Sequence, residues 1–286
     1  MFAYVTFLSN RNYLDGALAL HKSLQIVDAC YPLYCLLSMN VEQDVIDALE
    51  SHGISCIQLK ECVTADDRVN KDAAYSNWNY TFDKLYMWGL TQFDKIVFLD
   101  SDMIVTKNID HLFTRKPFSA ALAGVFFPTC ENIRILNSGL LVVEPDNEIK
   151  DRMIELSKTL IPEMTAKGLP LGDQDIINAY YPDWFEHKDL ILDDGFNYLA
   201  NARSVSYWTE QNDRYVTLYS HLYAGSNIVA GDYERIYPYV VLSKYIPITW
   251  CPIASMPENI NDEVLFKFTV SGRPMIEFAV SEAVMK

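Results

Sequence analysis

The sequence has little positive charge and no metal-binding cysteine pattern. Lysine and arginine number 23 against 38 acidic residues, a net charge of -15. That balance excludes a nucleic-acid binder or a protein held on anionic lipid, since both need clustered cations. The six cysteines form no C-x-x-C pair, and some sit in apolar runs such as YPLYCLLSM. They read as reduced thiols rather than a zinc or disulfide framework, and the expected compartment is the cytoplasm. The apolar run in MFAYVTFLSNRNY is short and lacks a basic leader, so neither a signal peptide nor a membrane segment is expected. No internal repeat, low-complexity tract or linker stands out. What is present is an ordinary globular composition, half hydrophobic and 21% charged, over 286 residues.

Strand-like and helix-like patterns alternate through the first third. Residues 2–8, 33–38, 54–59 and 95–99 are short apolar runs of strand type. Residues 13–27, 41–51 and 78–90 carry apolar residues at helical spacing, and Gly53 reads as a helix stop. This β-α-β-α-β order predicts a mostly parallel sheet covered by helices. Further on, 120–127 and 140–143 read as strands and 149–160 as a helix with Pro162 beyond its end. A short helix is expected at 173–180. Residues 61–77 read as a polar loop, and 231–286 contain the strand-like runs EVLFKFTV and MIEFAV, which could close the domain or form a homodimer contact.

Chemistry enters at KIVFLDSDMIV, where an apolar strand runs into two acids. Were the strand to continue, Asp100 and Asp102 would project to one side. They lie at the carboxyl end of a parallel strand, where open α/β folds place ligands. Two close carboxylates repel each other, and a divalent cation relieves that repulsion. The bland alternative is a solvated turn, for which Asp and Ser are common residues. Three other places carry candidate chemistry. Asn137 and Ser138 precede Gly139 in NSGLLVVEP, a possible plain turn. Asp173 and Gln174 open the helix of GDQDIIN, where an Asp is usually a cap but a Gln at the positive helix end can face a reacting centre. His221, in TLYSHLYAG, suits a transition-metal site beside carboxylates.

With YVTFLSNRNYLDGALAL, FDKLYMWGLTQFDKIVFLDSDMIVTKNIDHLF, LNSGLLVVEP and GDQDIIN in this order, the sequence resembles family 8 glycosyltransferases, most closely their glycogenin branch. It is also similar to plant galactinol synthases and to bacterial lipopolysaccharide galactosyltransferases. The resemblance covers residues 1–225 and leaves 226–286 as an extension of unclear role. It implies a single GT-A (Rossmann-like) α/β nucleotide-sugar-binding domain spanning 1–286, with a mixed, mostly parallel sheet. The implied activity is retaining transfer of a hexose, glucose first, from a UDP-sugar to a hydroxyl of a glycan, small molecule or protein tyrosine. The implied metal is Mn²⁺, with Mg²⁺ as the alternative, held by Asp100, Asp102 and His221. Phe7, Ser9, Asn10 and Tyr13 would contact uracil and ribose, Ser101 the ribose through its backbone, and Lys84 the donor. Gly225 would line the donor site after His221. Asn137 and Ser138 would hold the sugar, with Asp173 and Gln174 beside the anomeric carbon.

Two departures from the family pattern bear on the donor. The run after His221 has Gly225 one place late and lacks the lysine and Pro-Trp that the resemblance leads one to expect. Tyr75 stands where the family has an arginine. UDP-galactose and UDP-N-acetylglucosamine therefore remain alternative donors, and a catalytically weak nucleotide-sugar binder remains an alternative class. Tyr207, in SVSYWTE, is the nearest match to a self-glycosylated tyrosine.

Overall fold

The computed structural model describes residues 1–63, 76–105, 107–123, 134–193 and 196–199, together with the strands at 216–218, 248–250, 263–270 and 273–281. In chain order the strands are β1 (Phe2–Leu8), β2 (Leu33–Leu37), β3 (Ser55–Gln58), β4 (Lys95–Leu99), β5 (Met103–Val105), β6 (Ala120–Leu122), β7 (Leu136–Val143), β8 (Tyr198–Leu199), β9 (Val216–Leu218), β10 (Ile248–Trp250), β11 (Glu263–Val270) and β12 (Arg273–Ser281). The α-helices are α1 (Leu14–Ile26), α2 (Gln43–Ser51), α3 (Asn147–Lys167) and α4 (Asp173–Tyr180).

Among the described residues six strands form the main sheet, in the order β3-β2-β1-β4-β7-β6. β3, β2, β1 and β4 run parallel, whereas β7 is antiparallel to β4 and β6 antiparallel to β7. The expected mixed, mostly parallel α/β sheet is present. Strand β1 is buried on both faces, as a central parallel strand must be. Tyr4 and Leu8 pack on one side with Leu20, Leu24 and Leu49 of α1 and α2. Ala3, Val5 and Phe7 pack on the other with Phe82, Trp88, Met153 and Ile176. β10, β11 and β12 form a separate antiparallel meander, so the strand-like runs at 263–281 are strands.

Three local expectations change. Residues 78–90 are two 3-10 segments, Ser76–Tyr80 and Phe82–Gly89, rather than one α-helix. Asp83 accounts for part of this: its carboxylate accepts from the Ser38 hydroxyl at 2.7 Å and the Val63 N–H at 2.9 Å, anchoring the segment to neighbouring loops. Second, α3 does not stop before Pro162 but runs past it to Lys167 and ends on Gly168, whose φ of 66° suits a glycine stop. Third, β4 ends at Leu99, its expected bound, and does not continue through the two acids. The Met103 N–H donates to the Asp100 carbonyl at 3.1 Å, so Asp100-Ser101-Asp102 is a turn leading into β5 of another sheet. The alternation of a continuing strand therefore does not govern where the two acids point. Gly53, with φ 83°, closes α2 as expected.

Candidate active site

The turn after β4 sits at the carboxyl edge of the parallel strands, and β1 delivers Ser9 and Asn10 to that same edge. Asn10 Oδ1 accepts from the Asn12 N–H at 2.9 Å, and Asn10 Nδ2 donates to Ser9 Oγ at 3.0 Å. These contacts shape the turn that starts α1 and brings Tyr13, half-buried, to the helix entry. Phe7 is buried in the core, so what it can offer a ligand is its backbone.

Gly16 of α1 lies against the acidic turn. A Cβ there would come 2.4 Å from the Ser101 carbonyl oxygen, so only glycine lets helix and turn approach this closely. Ser101 is itself buried. The Val105 N–H donates to Ser23 Oγ at 3.0 Å and ties β5 to the same helix. Gly16 was readable in the sequence only as one residue of an apolar helix; its close approach has no local signature.

Lys84 is the centre of the site. Its Nζ lies 2.8 Å from Asp100 Oδ1 and 3.1 Å from Asp173 Oδ2, with Lys84 and Asp173 almost wholly buried. Burial alone would pull the ammonium's pKa down, but the Asp100 and Asp173 carboxylates outweigh it and hold it above the ordinary lysine value. Burial pushes the Asp100 carboxyl up; Lys84 opposes this, while Asp102 and Asp173 push it further, and the net shift is upward. One ammonium thus bridges two carboxylates, Asp100 and Asp173, and Asp102 adds a third negative charge beside Asp100.

α4 is docked on β7 by side-chain amides. Gln174 Oε1 accepts from the Ser138 N–H at 3.2 Å. One turn later, Asn178 Oδ1 accepts from the Leu136 N–H at 2.9 Å while its Nδ2 donates to the Leu136 carbonyl at 3.0 Å. Gln174 therefore spends its oxygen on the strand, leaving its amide nitrogen as what it can present to a ligand. Asp173 is not the helix cap that its position suggests: Gly172 is the cap residue, and Asp175 Oδ2 accepts from the Gly172 N–H at 2.8 Å. The Asp173 side chain is left to Lys84, and its N–H donates to Thr81 Oγ1 at 3.2 Å.

On β7, the Gly139 carbonyl accepts from the Asp100 N–H at 2.8 Å. A Cβ on Gly139 would lie 3.1 Å from both Asp100 Oδ2 and Asn137 Oδ1, and 3.2 Å from Asn197 Nδ2. The missing side chain makes room for these polar groups to meet. Asp100, Lys84, Asn137, Ser138, Asp173 and Gln174, scattered over 91 positions of the sequence (84 to 174), are thus brought together. Asn178 and Asn197 join them without having been read as site residues. The former shares a helix face with Gln174 at i, i+4; the latter is fixed only by the tertiary fold.

His221, Gly225, Tyr75 and Tyr207 lie outside the described residues. Among the described residues, no three His, Cys, Asp or Glu side chains gather as a metal site. The two carboxylates of the turn are nonetheless donors that a hard divalent cation takes, and the excess of negative over positive charge here suits one.

A carboxylate turn at the edge of a doubly covered α/β sheet, faced by a lysine and a polar strand entry, defines a GT-A glycosyltransferase fold. Residues 4–127 match the family model for glycosyl transferase family 8. Glycogenin-1 of Caenorhabditis elegans is 30% identical over 228 residues, 79% of this chain and 48% of that protein. The UDP-glucuronate:xylan alpha-glucuronosyltransferase 1 of Arabidopsis thaliana is 30% identical over 183 residues, 64% of this chain and 25% of that protein. A crystal structure of an active-site mutant of LgtC shares the fold with a TM-score of 0.56 at 15% identity, over 81% of this chain and 93% of that one. Through these matches the chain belongs to glycosyl transferase family 8, with a glycogenin-like sequence. It spans about half or less of the length of these curated relatives. No described helix is long and apolar enough to cross a membrane.

Proposed function

We propose that the chain is a retaining hexosyltransferase that takes a sugar, glucose first, from a UDP-sugar and passes it to a hydroxyl acceptor in the presence of Mn²⁺. The observation that carries this reading is the buried Asp100–Lys84–Asp173 bridge at the carboxyl edge of β4, beside the Asn137-Ser138-Gly139 entry of β7. A diphosphate brought to three carboxylates and one lysine meets net repulsion, and a divalent cation reverses it. Asp100 and Asp102 would hold that cation, with His221 as the proposed third ligand, and an O,O,N set favours Mn²⁺ over Mg²⁺. When bound, the cation supplies Lewis-acid neutralisation of the departing UDP.

The chain's own residues do the rest. Ser9, Asn10 and Tyr13, with the Phe7 and Ser101 backbone, hold the nucleoside at the end of β1, and Gly225 lines the donor site. Asn137 and Ser138 hold the sugar. Asp173, held in place by its ion pair with Lys84, faces the positive charge that builds on the anomeric carbon as the bond to phosphate breaks. Gln174 orients the strand entry through Ser138 and presents its amide N–H to the reacting centre. We extend the same domain over 1–286 and place the protein in the cytoplasm.

The xylan glucuronosyltransferase relative, named for a different sugar, keeps the donor question experimental. The test is UDP release from UDP-glucose, UDP-galactose, UDP-N-acetylglucosamine and UDP-glucuronate, with and without Mn²⁺. The reading expects metal-dependent release from one of these donors. No release from any of them, with UDP still bound, would favour a nucleotide-sugar binder.

A further inference from the structure

Asn197 is buried, and no motif of the sequence pointed to it. Its Nδ2 donates to Asn137 Oδ1 at 2.6 Å. The same oxygen also accepts from the Gly139 N–H at 2.8 Å, which fixes the Asn137 amide, because an N–H must meet the oxygen rather than the nitrogen. Asn197 must then present its own nitrogen to that oxygen. Two consequences follow for what the pair has left over. Asn137 Oδ1 is saturated, so Asn137 has only N–H donors to offer. Asn197 Oδ1 is buried and accepts no hydrogen bond among the described residues. A buried amide oxygen without a donor is costly, and in a folded protein such a group calls for a specific explanation.

A side-by-side donor and acceptor beside the Asp100 carboxylate match a hydroxyl group, which both accepts and donates. We propose that Asn197 is a specificity-determining residue: its Oδ1 accepts from a ring hydroxyl of the transferred hexose, and its Nδ2 locks Asn137 with its donors toward the same sugar. The inference rests on the UDP-sugar reading above and deepens it. Leu192, five residues earlier, donates its N–H to the Ala120 carbonyl of β6 at 2.9 Å, and β8 begins directly after Asn197.

The test uses the full chain with the UDP-hexose that it turns over fastest, and that donor's 3-deoxy, 4-deoxy and 6-deoxy analogues. A site built to bond a hydroxyl rejects the analogue lacking it strongly, so the wild type should discriminate against one deoxy donor by at least about tenfold in kcat/KM. Asn197→Ala should use that deoxy donor and its parent almost equally, while UDP affinity by calorimetry stays within about twofold, since only the sugar contact is lost. Asn197→Ser, a smaller polar change, provides the same readout should the alanine variant fold poorly. A purely structural role would lower activity on all donors together and leave the ratio untouched. Wild-type turnover with an unchanged deoxy penalty in both variants overturns the proposal alone. A wild type that neither binds UDP nor cleaves any UDP-sugar overturns the underlying reading, and the proposal with it.

Discussion

Lys84 is the residue on which the site's electrostatics turn. Its ammonium holds Asp100 and Asp173 together in a buried setting where neither carboxylate could stand alone cheaply. Lys84→Met should cost about 3 kcal/mol of stability, the low end for breaking a buried pair, because Asp100 keeps a quarter of its side chain exposed. Adding Asp173→Asn to Lys84→Met removes one of the stranded charges and should recover part of that loss, a coupling read by denaturant unfolding of the two single variants and the double. A double variant no more stable than Lys84→Met would mean that Asp173 is not held by the lysine. The acids and the lysine were legible in the sequence as separate motifs. Their bridge was not, because it joins residues that no local pattern relates.

At the scale of elements, the run Asn108-Ile109-Asp110 after β5 forms a latch. Asp110 accepts from the Tyr4 hydroxyl at 2.8 Å, the Cys30 N–H at 3.0 Å and Asn108 Nδ2 at 2.9 Å, joining β1 to the loops that follow α1 and β5. Burial pushes its carboxyl up, but the hydrogen bonds together prevail and the net shift is downward. A carboxylate with a lowered folded-state pKa adds stability above its unfolded value, near pH 4, and loses it as pH falls through the folded value. Asp110→Asn should therefore cost about 1 kcal/mol at pH 7, the difference between charged and neutral hydrogen bonds, and less at pH 3. Thermal melts at the two pH values check this; an equal loss at both would show that the charge contributes nothing. Pro162 supplies a second test. It sits exposed inside α3, where a proline lacks the helical N–H, so Pro162→Ala should raise stability by about 1–2 kcal/mol. A lower melting temperature would mean that the helix has adapted to the ring. The helix passes the proline that local rules would make its end, because its packing against Phe82–Gly89 and α4 outweighs one lost hydrogen bond.

For the molecule as a whole, the mostly parallel sheet and the edge that carries the site were legible because apolar runs and their spacing dictate a parallel α/β layer. The 3-10 geometry of Phe82–Gly89 was not, since it is set in part by anchoring contacts of Asp83 to distant loops. The account's central claim is that this acidic molecule, at -15, binds a diphosphate through a cation held by the Asp100–Asp102 turn. Titration calorimetry of UDP against the wild type and Asp102→Asn, with and without Mn²⁺, tests it most directly. Mn²⁺ should tighten UDP binding to the wild type by at least about tenfold, the effect of turning charge repulsion into attraction, and should leave Asp102→Asn almost unchanged. Equal UDP affinity in both proteins, with or without Mn²⁺, would contradict it.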